Sequence, residues 1–568
     1  MARFTSLELG HLFIFSLVGF NIIVLCMNFA AVSKHQGFRK LQNVWKTGDV
    51  NGQGKNVRQE RTKISRWENH RDEQNRNIKW SDIKDKHKSL PAQNKMRATL
   101  SSLREYTSSF LRQARLLQME DDMFRYKSVT NEGDVGKLNR LIADVMMTNK
   151  TIHIGVIGGS QSSASLCDAN NCLYIELVVS WLRTVLGVNV ILHNAALPLA
   201  SSAYFSWCLH PHLDASKMDI IIWELSVEDF LFKELLTKNR YTNPGQLQEE
   251  LTRRLLSLPN DPYIIYFNFL SVEDMKNRDC LNSEHISGKI LARHYNITNI
   301  SWGTAVCSRI SRRTGFMTNE LIHADQLLSK TTHQQASLFM INFFKKKIEK
   351  VALTEFQKAQ TDVRYIRGLI KLHDVFLQNS KASNKAAETS LRRSYNSKQS
   401  TSLPNPRWTA KWLTQSQCWP ASTPQFVPDS KLSFPKNGGW ETIFSDRENW
   451  YTSTGSTQIL EFPLRIERKL NQTAIISIVT VVCGYCGQAL VFLDGDVKKS
   501  KLLYGTWSTH AFRIDEIFEK IDPGDHTLFI SSLEEKPYKL AAVMVGYRTL
   551  DDMEKNETTS FKIVKDKL

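Results

Sequence analysis

Residues 151–163 read TIHIGVIGGSQSS. A short apolar run stops abruptly at Gly158-Gly159-Ser160, which predicts a buried strand entering a tight turn. As the first strand of an α/β sheet, it would place Ser160 beside the crevice where such sheets carry their chemistry. The two glycines let the backbone turn sharply and come close to whatever lies there. A serine that merely caps the next helix gives the same local pattern. The meaning of Ser160 therefore depends on the rest of the chain.

Outward from this stretch, strand-like runs at 151–157, 188–193, 219–225 and 262–269 alternate with helix-like segments at 174–186, 245–258, 283–295 and 333–351. This alternation predicts an α/β domain over 148–352, a flavodoxin-like parallel sheet with helices on both faces. Its connections are of βαβ length, so right-handed crossovers are expected. Residues 353–405 read as one more helix and then a basic, Ser/Asn-rich linker. From 406 to 550 short alternating runs appear between turns such as Leu493-Asp494-Gly495-Asp496 and Asp522-Pro523-Gly524-Asp525. They predict a C-terminal antiparallel β-sandwich, a candidate carbohydrate-binding module, with 551–568 as a tail.

The chain has 568 residues, more than one domain's worth. Its 42% hydrophobic and 10% aromatic residues suit globular protein with some polar linker. The net charge is +17, with much of the basic excess in 34–127 and 358–411. No zinc-finger spacing or RNP-like aromatic pattern accompanies it, so no nucleic-acid partner is expected. These stretches read as solvated stem and linker, with contact to anionic headgroups or acidic glycans open.

After a short tail, 1–11, residues 12–32 form an uncharged apolar run of about membrane-spanning length. The run is long for a signal peptide, and Ala30-Ala31-Val32-Ser33 is a mediocre cleavage site, so a transmembrane signal anchor is expected. Residues 33–147 follow as a basic polar stem with helical segments. Lys34, Arg39 and Lys40 after the anchor, against Arg3 before it, would keep the bulk of the chain cytosolic. Five Asn-x-Ser/Thr sequons, at Asn149, Asn296, Asn299, Asn471 and Asn556, argue the reverse. So do eight cysteines beyond the anchor, an even number that fits disulfides in an oxidising compartment. The expectation is a single-pass type II protein on the lumenal face of the Golgi or ER, or extracellular. The final Lys565-Asp566-Lys567-Leu568 departs from an ER-retrieval tail at Lys567.

Four segments within 150–350 resemble the SGNH (GDSL-like) hydrolase superfamily. The match is closest to the eukaryotic branch with an Ile/Val-Gly-Gly-Ser start and an appended β-sandwich. Gly158-Gly159-Ser160 matches the first block, which implies that Ser160 is the nucleophile. Asn194-Ala195-Ala196-Leu197-Pro198-Leu199 matches the second block, usually Asn-Ala-x-x-Pro-Gly. Glu224-Leu225-Ser226-Val227-Glu228-Asp229 matches the third, usually Glu-x-x-x-Asn-Asp. The fourth usually carries Asp-x-x-His just before the last helix.

The departures bear on chemistry. A serine hydrolase needs a nucleophile, a base and donors aimed at the oxyanion. At the oxyanion positions, Leu199 replaces a glycine and Glu228 an asparagine. Leu199 keeps a backbone N–H, useful if it adopts the angles of the glycine. An ionised Glu228 has no donor and would repel an oxyanion, so it would have to be protonated to help. For the base two registers stand. In one, Glu320 lies three residues before His323 and orients it. In the other, Asp325 takes the family aspartate's place and leaves only His333, at the helix start, to reach in.

Other constellations read as structural. Cys483-Gly484-Tyr485-Cys486 lies among β-patterned segments, where a local disulfide or two structural cysteines suit better than a redox dithiol. Cys167 and Cys172 could staple the loop after Ser160. His210-Pro211-His212, with Asp214 nearby, is read as a surface feature, and no metal or cofactor is expected. Trp408, Trp412, Trp419, Trp440, Trp450 and Trp507 could stack on sugars, but in a sandwich they more often fill the core. Three functions follow. The first is an esterase or acyltransferase acting on glycan O-acyl (acetyl) esters through Ser160. The second is the same fold without catalysis, as a membrane-tethered binding or scaffolding module. The last is a Golgi glycosyltransferase, whose only Asp-x-Asp is Asp494-Gly495-Asp496.

Overall fold

The computed structural model describes residues 80–117, 128–163, 173–236, 245–271, 288–306, 328–376, 403–407, 415–422, 430–434, 438–444 and 449–549, with a few single positions between them. The chain divides into two units, Met1–His87 and Lys88–Leu568. Of the first, only 80–87 are described, and they are helical. The apolar run 12–32 lies outside the described residues, and among those described no helix is long and apolar enough to cross a membrane.

The elements of the α/β part are α1 (Trp80–Leu116), β1 (Val129–Asn131), α2 (Val135–Thr148), β2 (Ile152–Gly158), α3 (Tyr174–Leu186), β3 (Val190–Asn194), α4 (Ser202–His212), β4 (Ile220–Glu224), α5 (Ser226–Leu236), α6 (Gly245–Leu256), β5 (Tyr263–Asn268), α7 (Gly288–His294), β6 (Thr298–Ser301) and α8 (Lys330–Phe376). The sheet runs β1-β6-β5-β4-β2-β3. Strands β2 to β6 are parallel, and β1 lies antiparallel on β6.

Both faces of this sheet are covered, so its central strands are mainly apolar, with Glu224 and Asn268 at the carboxyl ends of β4 and β5. In β4, Ile220 and Ile222 join α1, α2, α3 and α8 in one core, while Ile221 and Trp223 join α4, α6 and α7 in another. Helix α2 shows how the sequence sets such an element. Asp134 caps its start through the N–H groups of Gly136 and Lys137. Asn149 ends it in the left-handed region. Leu138, Ile142, Val145 and Met146 form its buried face.

The C-terminal part contains β7 (Gln415–Pro420), β8 (Glu441–Phe444), β9 (Asn449–Thr452), β10 (Ile459–Ile466), β11 (Gln472–Val482), β12 (Gln488–Leu493), β13 (Lys501–Tyr504), β14 (Ala511–Ile521), β15 (Gly524–Ser532) and β16 (Lys539–Thr549). One sheet runs β10-β15-β12-β13; the other runs β14-β11-β16-β9-β8, with β7 also on β16. Their pairings are antiparallel, and their facing side chains form one core containing Leu460, Phe462, Ile476, Ile478, Val491 and Val543.

The larger sheet is buried on its second face as well. Ile475, Val479 and Val481 of β11 share a core with Tyr204, Trp207 and Leu251 of the α/β part. The Cys208–Cys418 disulfide joins α4 to β7 across this seam. Glu250 accepts the Leu413 N–H at 3.0 Å, and Arg254 donates to Ser416 Oγ at 3.0 Å. A Cβ on Gly546, in β16, would lie 2.4 Å from Trp207 and 2.7 Å from Leu413. Glycine there lets the indole lie against the strand backbone.

Replacing Gly546 by alanine should therefore overpack the seam and cost about 1–3 kcal/mol. Urea unfolding of the variant checks this, and a loss below about 0.5 kcal/mol would contradict the packing.

Candidate active site at the carboxyl edge of the parallel sheet

Strand β2 ends as expected in a turn at Gly158-Gly159-Ser160. Each glycine has a steric cause. A Cβ on Gly158 would fall 2.6 Å from that of Ser162, and one on Gly159 would fall 1.9 Å from the Glu228 carboxyl carbon. The Gly159 N–H donates to the Glu224 carbonyl at 3.0 Å, tying the turn to β4. Ser160 is half-buried. Its backbone N–H donates to Glu228 Oε1 at 2.5 Å. Its Oγ accepts the Leu199 N–H at 3.2 Å.

Leu199 has φ +67°, in the left-handed region. A leucine there carries about 1–3 kcal/mol of strain, which the surroundings must offset. Its side chain packs at the edge of the core shared with the sandwich. The turn before it is fixed by Leu197 N–H to the Gly158 carbonyl at 3.0 Å. The Asn194 amide donates to the Ser162 carbonyl at 2.8 Å and its oxygen accepts the Ala196 N–H at 3.1 Å. Leu199, in a conformation that glycine adopts more readily, thus points its backbone N–H at Ser160 Oγ.

Beneath the turn lie three buried carboxyl groups. Burial, with the nearby Glu228 adding to it, pushes Glu224 well above the usual carboxylate range. Glu224 Oε2 accepts the Ser162 hydroxyl at 2.7 Å, and that hydroxyl also meets Tyr174 at 2.9 Å. Burial pushes Glu228 up to about 7, against the Ser160 N–H, its own N–H and the Ser160 hydroxyl, all of which hold it down. Its Oε2 is buried without a hydrogen-bond partner. Burial pushes Asp229 up to about 6, opposed by its donors. These are the Ser202 N–H at 2.7 Å, the Ser202 hydroxyl at 2.6 Å and the Gln248 amide at 2.6 Å. Asp229 therefore fixes the start of α4. Glu224 and Asp229 stood in the third matched block, whereas Ser162 and Tyr174 had no sequence signal.

Of the candidate bases, Glu320, His323 and Asp325 lie outside the described residues. His333 is described. The Leu328 N–H donates to Gln161 Oε1 at 3.1 Å, which sets the start of α8 beside the Ser160 turn. The imidazole packs between Tyr174 and Phe269, and neither of its nitrogens has a hydrogen-bond partner. Burial pushes it down to about 4, so it is neutral at neutral pH. No described hydrogen bond joins it to Ser160.

The secondary motifs resolve as structure. His212 is buried rather than at the surface, meets the Tyr204 hydroxyl at 2.9 Å and is pushed by burial down to about 3. Among the described residues no His/Cys/Asp/Glu cluster is arranged for a metal. A cavity of about 610 Å³ opens at the seam beside His210, Asp214, Glu250 and Arg254, apart from the Ser160 cluster. Cys483 and Cys486 form a local disulfide. Asp494 sits in the turn after β12, bound to His526 at 2.7 Å and the Thr527 N–H at 2.8 Å, which is a turn anchor. Trp440 and Trp450 are buried, whereas Trp408 and Trp412 lie outside the described residues.

Asn149, Asn296 and Asn471 are exposed, and Asn556 lies outside the described residues. Asn299 requires a correction as a glycan acceptor. It is fully buried in β6, its amide donating to Thr130 Oγ1 at 2.6 Å and its oxygen accepting from Asn268 at 2.6 Å, which leaves no room for a sugar.

No family model matches the chain, and no curated protein matches it. Among solved structures, the chain is similar to a two-domain esterase active on acetylated mannans, co-crystallised with mannopentaose. That match has 14% identity, covers 74% of this chain and 97% of the other, and has a TM-score of 0.49. A second structure of a two-domain esterase active on acetylated mannans matches at 15% identity, over 74% of this chain and 98% of the other, with a TM-score of 0.46. A family two carbohydrate esterase from Cellvibrio japonicus matches at 14% identity, over 24% and 34%, with a TM-score of 0.17.

Substituting Asp229 by alanine removes the acceptor for three buried donors and should cost about 3 kcal/mol. Chemical denaturation measures the loss. A value below about 1 kcal/mol would show that α4 is held by other means.

Proposed function

We propose that this chain is a serine esterase of the SGNH type, or an acyltransferase using the same chemistry, acting on acyl esters of glycans. The observation that carries the reading is the Leu199 N–H on Ser160 Oγ, kept at the expense of a left-handed leucine. A serine that only capped a helix would not need that donor. In the proposed step Ser160 Oγ attacks the ester carbonyl while a base takes its proton. The tetrahedral intermediate then expels the sugar hydroxyl, which recovers the proton, and leaves an acyl-Ser160 for water or an acceptor alcohol.

Of the two registers, we assign the base to the one with His323, three residues after Glu320. His333, packed between Tyr174 and Phe269 and lowered by burial to about 4, would be a weak base. The glycan part of the reading comes from the resemblance to the branch with an appended sandwich, and the sandwich here packs directly on α4. A type II lumenal setting, with 12–32 as anchor, is supported by two disulfides among the described residues, since such bonds persist in oxidising compartments.

The second reading, a non-catalytic binding module, is favoured by one observation: Glu228 already occupies the Ser160 N–H. Fluorophosphonate labelling separates the two. The esterase reading expects covalent label on Ser160, none on a Ser160→Ala variant, and acetate released from an acetylated glycan by the wild type alone. A folded wild type that takes no label at any pH between 5 and 9 leaves the binding module standing.

A further inference from the structure

We propose that Glu228 is the switch of this site: its neutral form donates to the oxyanion, and its ionised form plugs the same place. The inference rests on the esterase reading and adds to it a dependence on acid. Three features of the geometry carry it. First, Glu228 Oε1 sits 2.5 Å from the Ser160 N–H, the backbone donor an oxyanion would use. Second, Oε2 is buried without a partner, so a proton carried there is a donor with nothing yet to bond. Third, Gly159 leaves no Cβ to hold the carboxyl group away, since one would lie 1.9 Å from its carbon.

The surroundings set the direction of the switch. Glu228 faces the Ser160 turn after β2, Glu224 at the end of β4 and Asp229 beside it on α5. Beyond Ser162 stand the Tyr174 hydroxyl of α3 and, stacked on that ring, the neutral His333 of α8. Burial favours the neutral form of Glu228, Asp229 pushes the same way, and the Ser160 donors oppose them. The balance lies at about 7. Below that pH the group is a neutral O–H donor. Above it the carboxylate binds the Ser160 N–H and repels the negative charge that develops during attack.

The test compares wild type with Glu228→Gln, whose amide is never charged and carries a permanent donor in place of Oε2. The readout is the ratio of the two rates of fluorophosphonate labelling at Ser160. A ratio cancels the titration of the base, which both proteins share. The ratio should be near one at pH 5.5 and rise in favour of the variant to about tenfold at pH 8, one unit above the midpoint. Glu228→Asn, the residue of the resembled family, serves if the glutamine variant does not fold. A ratio that does not change with pH overturns the switch and leaves the esterase reading intact. A variant that takes no label while wild type does makes Glu228 the base and likewise overturns it. No label on any of the proteins overturns the esterase reading and this inference with it.

Discussion

A carboxyl group buried under a backbone turn is the constraint from which the rest of the site follows. Glu228 is almost fully buried, in contact with Gly159 and hydrogen-bonded to Ser160. A charge so placed is costly unless it finds donors or takes up a proton. Two outcomes are visible around it. The turn presents the Ser160 N–H to one oxygen, and the proton affinities of Glu228 and Glu224 rise. Gly159 is then a consequence, since any side chain would strike the carboxyl group.

The same logic of close approach governs the junction of the two layered parts. The larger antiparallel sheet has helices on one side and the smaller sheet on the other, so β11 and β16 are buried almost throughout. A sheet with two dry faces is not an appendage that can be removed without exposing a core. Glu250, which burial pushes up to about 7, and Arg254 sit in that seam with backbone and hydroxyl partners. The helix they lie near, α4, also takes its N-terminus from Asp229, next in sequence to Glu228. The sandwich, α4 and the Ser160 turn are thereby connected through short, rigid contacts.

Much of this was legible in the residues. The runs at 151–157 and 262–269 lie on β2 and β5, because strands buried on both faces leave a continuous apolar signature. The helix expected at 174–186 coincides with α3, whose apolar face and closing Gly187 are plain in the sequence. Strand β1 was not foreseen: three residues, two of them polar, carry no period, and pairing with β6 alone makes them a strand. Residues 333–351 and the stretch after them read as two helices, yet α8 runs on through 376, since no glycine or proline falls between 330 and 367. Strands β7 and β9 fall where Trp and Cys punctuate polar sequence, and their partner β16 supplies the order, with β8 added on β9.

Site chemistry was harder to read because it depends on backbone angles and burial that single residues do not announce. Leu199 looked like the loss of a glycine, but its φ of +67° preserves the donor that the glycine would have supplied. Glu228 looked like the loss of an amide donor, and whether that loss is real depends on a proton. These two departures differ in kind. A leucine can be held in a left-handed turn once its side chain gains a packing site, so Leu199 costs strain and nothing else. A glutamate stands where the resembled block usually has asparagine, and its donor exists in one of two protonation states. Burial that merely filled space would have favoured an apolar residue here, with no charge to desolvate. What a buried glutamate retains over an apolar residue is sensitivity to pH near neutrality, and it holds that sensitivity against the backbone amide of Ser160.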